Sequence, residues 1–163
     1  MDYVVVGRII TTHGLKGEMK IRSNFKYKDQ VFSVGSSLYI GASKEYHKVL
    51  TYRIHKDYDM VIVSDINDID KAISYKQELV YVKKSDIKLG VNEYLDEDLI
   101  GLCAYYNNVK IGIILSITDE GNNNLVMRLD NGVIIPKNSN FIIDVDLDKK
   151  IINLKNVEGL LWE

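Results

Sequence analysis

The 163-residue sequence predicts a mainly β protein built as two small barrels, one in each half, joined by a short linker. Three observations predict it. Short runs rich in Val, Ile, Tyr and Thr recur along the chain, bounded by Gly, Asp, Asn or Ser, which is the pattern of strands separated by turns. The polar segment SDIKLGVNE, from Ser85 to Glu93, interrupts them near the middle and has the composition of a linker. Charge divides there too. Residues 1–90 hold 15 Lys and Arg against 11 Asp and Glu, a balance of +4, whereas residues 91–163 hold 6 against 12, a balance of −6. Opposed halves point to two domains, 1–88 and 89–163, with different surfaces. About five closely spaced strands on each side suit barrels, because closure removes the exposed edges of a small sheet.

In the first half, Tyr3–Ile10 and Lys16–Arg22 read as strands flanking a turn that carries His13, Gly14, Lys16 and Gly17. Two glycines three apart predict a sharply shaped connection, since glycine reaches positive φ without steric cost. A His and a Lys on such a loop are polar groups on a rigid mount; a turn whose charges merely keep it solvated would read the same way. Leu38–Ile40 follows, and the run KEYHKVLTYRIHKDYDMVIV reads as strands His47–Ile54 and Met60–Val63 around a turn near Asp57–Asp59. One helix is predicted from Asp68, where Ile69, Ala72, Ile73 and Lys76 fall at helical spacing and Asp68 or Asn67 caps the first turn. Leu79–Val82 returns to strand character.

Beyond the linker, Val109–Thr118 is a long β-rich run, and a loop at Glu120–Asn124 separates it from Leu125–Asp130. Asn131-Gly132 joins that strand to Val133–Pro136. An Asn-Gly pair between apolar runs predicts a type I′ hairpin, which needs positive φ at both central positions. Phe141–Leu147 and Lys150–Leu154 form a last hairpin around Asp148-Lys149. Trp162, apolar and near the end, is expected to pack.

The chemistry expected of enzymes is missing. No phosphate-cradling GxxxxGK[ST], dinucleotide GxGxxG or nucleophile-elbow GxSxG is present. His13, His47 and His55 are scattered without metal-ligand spacing to the single cysteine, and His47 and His55 read as a surface pair on one hairpin. Cys103, in the apolar setting GLCAYY, reads as a buried small hydrophobe. Asp96-Glu97-Asp98 lacks the alternating oxygen ligands of a Ca²⁺ loop and reads as a solvated face or helix start. No catalytic residue, metal site or cofactor is expected. No apolar run approaches the roughly 20 residues of a membrane-spanning helix, and the N-terminus is not a secretory signal, so a cytoplasmic protein without membrane contact is expected. A net charge of −2 argues against coating nucleic acid by bulk electrostatics. The first 28 residues nevertheless carry six cations (Arg8, Lys16, Lys20, Arg22, Lys26, Lys28) against Asp2 and Glu18. Arg8, Lys20 and Arg22 are candidates for RNA phosphates, or members of a solvated strand face.

The VGRI strand, the HGLKGE loop and the MKI strand after it resemble the start of the ribosome maturation factor RimM family. EYLDEDLIGL resembles the opening of that family's C-terminal PRC-barrel, and FIIDVDLDKKIINLKNVEGLL, closing on Glu158–Leu161, resembles its end. The three blocks keep their order and spacing over essentially the whole chain. The resemblance implies a translation-factor-like N-terminal barrel before the PRC-barrel. It also implies a non-enzymatic, monomeric assembly factor that binds immature small ribosomal subunits and their rRNA, and in particular the head protein S-nineteen. The chain departs from the family pattern where a Tyr-Tyr-Trp run is common: Tyr94-Leu95-Asp96 stands there, and Lys137 replaces a Phe after the Ile-Pro step. The tyrosine pair is linked to ribosomal-protein binding in the family, a role that carries over to Tyr94. The partner-binding candidates are thus His13, Gly14, Lys16, Gly17, Tyr94, Leu95 and Asp98. A direct rRNA-binding module using the basic N-terminal strands is the alternative.

Overall fold

In the computed structural model, which describes residues 2–121 and 124–161, apolar–polar alternation becomes two separately organised units, Met1–Lys88 and Leu89–Glu163. Trp162 lies outside the described residues.

The first unit contains β1 (Tyr3–His13), β2 (Glu18–Arg22), α1 (Lys28–Val31), β3 (Ser37–Ile40), β4 (Glu45–His55), β5 (Tyr58–Val63), α2 (Ile69–Ile73) and β6 (Leu79–Lys83). Its strands close into a barrel in the order β1-β2-β5-β4-β3-β6. Alternate residues of β1 and β2, among them Val4, Val6, Met19 and Ile21, are buried inside it. Bulges at Val5–Gly7 and Ile9–Thr11 let β1 bend from β6 to β2. At Gly7 the strands approach so closely that a Cβ would lie 2.6 Å from Ile21 Cγ2. The predicted helix forms on its predicted cap, with the Asp68 carboxylate accepting from the Lys71 N–H at 2.8 Å. The single turn α1 has no sequence signature, because its N-cap, Tyr27, provides no side-chain bond; it forms where Val31 and Phe32 are buried.

One histidine expectation changes. His47 is only 1% exposed, and its Nδ1–H donates to the Ser64 carbonyl at 2.6 Å. His55 is exposed. They are not a surface pair, because a bulge between Val49 and Thr51 breaks the alternation of β4 between them.

The second unit contains β7 (Cys103–Tyr106), β8 (Val109–Asp119), β9 (Leu125–Leu129), β10 (Ile134–Pro136), β11 (Ile142–Asp146), β12 (Ile151–Leu154) and the turn α3 (Glu158–Leu161). They form one six-stranded sheet, β10-β9-β8-β7-β12-β11, around a core that includes Leu99, Leu102, Ile114, Met127, Ile135 and Ile152. Its ladder has two ends, β10 and β11. Pro136, with no N–H to donate, sits where it is tolerated, on the end strand β10. β7 pairs antiparallel with β8 and parallel with β12, and it is the strand that sequence reading missed. Four residues beside a turn are too few to show a period. Cys103 is half-buried rather than in the core, since alternation on β7 turns Ala104 inward instead.

The type I′ geometry lies elsewhere than predicted. Asn107 and Asn108 have φ of 51° and 63° and join β7 to β8, whereas at Asn131-Gly132 only Gly132 has positive φ. There the Asn131 carboxamide oxygen accepts from the Val133 N–H, and the Leu129 N–H donates to the Val133 carbonyl. A three-residue loop ending on a left-handed glycine results.

Candidate functional site

The loop after β1 is Gly14–Gly17, with both glycines left-handed at φ of 77° and 79°. It is seated on the start of α2. The Ile69 N–H donates to the Leu15 carbonyl at 3.1 Å, and Gly17 lies so close that a Cβ would stand 2.7 Å from the Asp68 carbonyl oxygen. Gly17 is therefore buried and shapes the loop, while Gly14, His13 and Lys16 stay exposed. Leu15, 82% exposed at the tip, is a contact candidate that sequence reasoning passed over. Its signal was an apolar side chain between two glycines.

Below the loop, β2 turns Met19 and Ile21 inward and Glu18, Lys20 and Arg22 outward. Lys20 Nζ lies 4.0 Å from the centroid of the Tyr58 ring, and the Arg22 guanidinium 6.0 Å from it. The hydrogen bond from Arg22 and the nearby Lys20 charge hold the Tyr58 phenol below its ordinary pKa. Arg8 is opposite Arg22 in the β1–β2 register and donates to the Gln77 carbonyl at 2.6 Å. Arg53 grips Glu18 through two hydrogen bonds, at 2.9 and 2.7 Å, which lowers the pKa of that carboxyl despite opposing desolvation. The three RNA candidates thus share one neighbourhood with Tyr58. The tyrosine was not foreseen, because pairing between segments distant in the chain brings it there.

In the second unit, a groove of about 630 Å³ runs between the segment Gly90–Tyr94 and strands β11 and β12. Tyr94 lines it, half-buried, with its ring against the core. Leu95 corrects the expectation: it is 3% exposed, inside the unit rather than at a binding surface. Asp98 holds the turn by accepting from the Leu95 N–H at 2.9 Å. Asp98 also borders a smaller recess with Ile100 and Lys150. The two departures from the family pattern meet in space, Lys137 Nζ lying 2.7 Å from Asp96 Oδ1. An ion pair thus joins two positions where the family commonly has rings. Glu158, which opens the closing E-G-L-L, accepts from the Tyr106 hydroxyl and so ties α3 to β7. That bond lowers the pKa of Glu158 and raises that of Tyr106.

Among the described residues no three His, Cys, Asp or Glu side chains gather as metal ligands, and no helix is long and apolar enough to cross a membrane. Fold and site together define a class: a two-unit β protein with a glycine-shaped loop and a cationic face on its first unit, and an acidic groove on its second. The family model described as the RimM N-terminal domain matches residues 4–87. Ribosome maturation factor RimM of Staphylococcus haemolyticus is 35% identical over 97% of this chain and 98% of its own length. The Staphylococcus epidermidis protein of the same name is 32% identical over the same shares. The solved N-terminal domain of RimM from Thermus thermophilus aligns with 54% of this chain and 96% of that one, at 17% identity and a TM-score of 0.47. By the family model and the full-length relatives, the chain belongs to the RimM family of ribosome maturation factors.

Proposed function

We propose that this protein is a non-enzymatic ribosome assembly factor that binds the head protein S-nineteen of the small subunit. In this reading it assists maturation of the subunit head and processing of the small-subunit rRNA. The observation that carries the reading is the family match over nearly the whole chain. Tyr94 on an acidic groove gives it a physical basis. A half-buried aromatic is a suitable anchor, and carboxylates around it favour the basic surface of a ribosomal protein and steer encounter. His13, Lys16, Gly14 and the exposed Leu15 provide a second contact region, with Gly17 and Asp98 holding the two backbones in shape.

Purified protein mixed with immature small subunits tests the reading by co-sedimentation, and with isolated S-nineteen by calorimetry. Binding in both is expected, and absence of both refutes it. A second reading, direct rRNA contact through Arg8, Lys20 and Arg22, is favoured by Tyr58 among the cations, since an aromatic ring beside cations suits both base and phosphate. Its mark is affinity for head rRNA alone that falls steeply with salt, whereas a flat salt response excludes it.

A further inference from the structure

The groove of the second unit has an unusual wall. Consecutive residues of β11 (Asp144, Val145 and Asp146) line it, whereas β12 contributes the alternate residues Ile151 and Asn153. The cross-strand pairs Asp144–Asn153 and Asp146–Ile151 share one face of the sheet, so the groove lies on that face along the outermost strand, β11. β11 pairs with β12 on one side and, among the described residues, with no strand on the other. An unpaired edge offers a row of backbone donors and acceptors to any extended chain laid beside it. Within β11 itself, Ile142–Asp146, there is no Lys or Pro of the kind that commonly discourages such pairing. Four carboxylates, Glu93, Asp144, Asp146 and Asp148, line the groove against the single ammonium of Lys149, a balance of −3. Ile143, 57% exposed where the β11–β12 register shifts, adds an apolar side chain beside the edge.

We infer that β11 accepts an extended, lysine- or arginine-rich segment of a protein partner as an added strand. Backbone pairing would supply the affinity and the carboxylates the choice of a basic sequence. Nucleic acid is the wrong occupant for a groove of this sign. The inference deepens the protein-binding reading above and rests on it for the partner's origin.

The test uses the full chain and an end-blocked peptide of alternating Lys and Val, at low ionic strength. Binding is followed by fluorescence anisotropy, and the site is located by amide chemical shifts. Two derivatives, N-methylated at alternate residues in the two possible registers, separate strand addition from plain charge attraction. Strand addition predicts that one derivative binds like the parent and the other does not bind, with shifts concentrated at Ile143–Asp146. Asp144→Asn with Asp148→Asn, which leaves an acceptor for the Asn153 amide, should weaken the peptide about tenfold through loss of two charge contacts. Equal binding of both derivatives, loss of both, shifts mapping away from β11, or an unchanged double variant would each overturn the inference. If the chain captures S-nineteen but the peptide fails to compete, strand addition is wrong and the assembly reading stands. If the peptide binds at β11 while S-nineteen and immature subunits are not captured, the edge site stands and the assembly reading fails.

Discussion

Gly17 and Gly14 have nearly the same backbone conformation, φ of 79° and 77°, but different surroundings, so alanine at each separates strain from collision. At Gly14 nothing lies within 4 Å of an added Cβ. Gly14→Ala should cost only the left-handed strain, about 1–2 kcal/mol. At Gly17 the Cβ would stand 2.7 Å from the Asp68 carbonyl oxygen and 3.1 Å from its carbon. That oxygen is not free to yield, because it accepts the Ala72 N–H of α2 at 3.1 Å. The loop must lift instead, straining or breaking the Ile69–Leu15 backbone bond, for a further cost of about 2–3 kcal/mol. In a unit of this size about 1 kcal/mol shifts Tm by roughly 4–8 °C. Gly17→Ala should therefore melt some 10 °C or more below Gly14→Ala. Gly17→Val should do worse, since a β-branched side chain tolerates positive φ poorly. Thermal unfolding followed through amide signals of the first unit keeps the second unit's transition apart. Equal melting of the two alanine variants would refute the seating of the loop on α2.

The other predictions concern the second unit and the acid limit of the first. Tyr94→Ala should weaken S-nineteen binding by about 2 kcal/mol in calorimetry. Because the ring also rests on the core, the substitution should lower Tm as well; unaltered binding by a folded Tyr94→Ala variant would remove the ring from the interface. A double-mutant cycle on Asp96 and Lys137 should give a coupling of about 0.5–1 kcal/mol that shrinks with added salt, and a coupling of zero would show the ion pair to be incidental. Arg53 holds the Glu18 carboxyl below its ordinary value of 4.5, so the bond adds stability above that pH and loses it as pH falls through the depressed folded value. Glu18→Gln should reduce stability at neutral pH and flatten the acid limb of the urea-midpoint profile. Parallel profiles for parent and variant would count against the bond.

Much of the strand pattern was legible in the sequence, because a strand with one buried face writes its period into the chain. Met19 and Ile21 against Lys20 and Arg22 show it, as does the Asp68 cap, which acts within four residues. Short elements were not legible. β7 and α1 are too brief to display a period and form where neighbouring strands or a buried Phe32 receive them. His47 was hidden for another reason: a bulge on the long strand β4, which no local pattern announces, separates it from the face of His55.

The candidate sites divide in the same way. The sequence alone determined that a sharp loop would display His13 and Lys16, because glycine spacing and charge are local properties. Composition also marked the acidic second half, whereas Tyr94 was marked by the resemblance to the family. Only tertiary structure decided that Gly17 is pinned against Asp68, that Leu95 faces inward, and that Tyr58 joins Lys20 and Arg22. Only there do Asp96 and Lys137, far apart in the chain, meet as an ion pair, and β11 end a sheet beside a carboxylate-lined groove. Each of these depends on which segments lie side by side. Pairing between distant strands sets that, and no local pattern of residues encodes it.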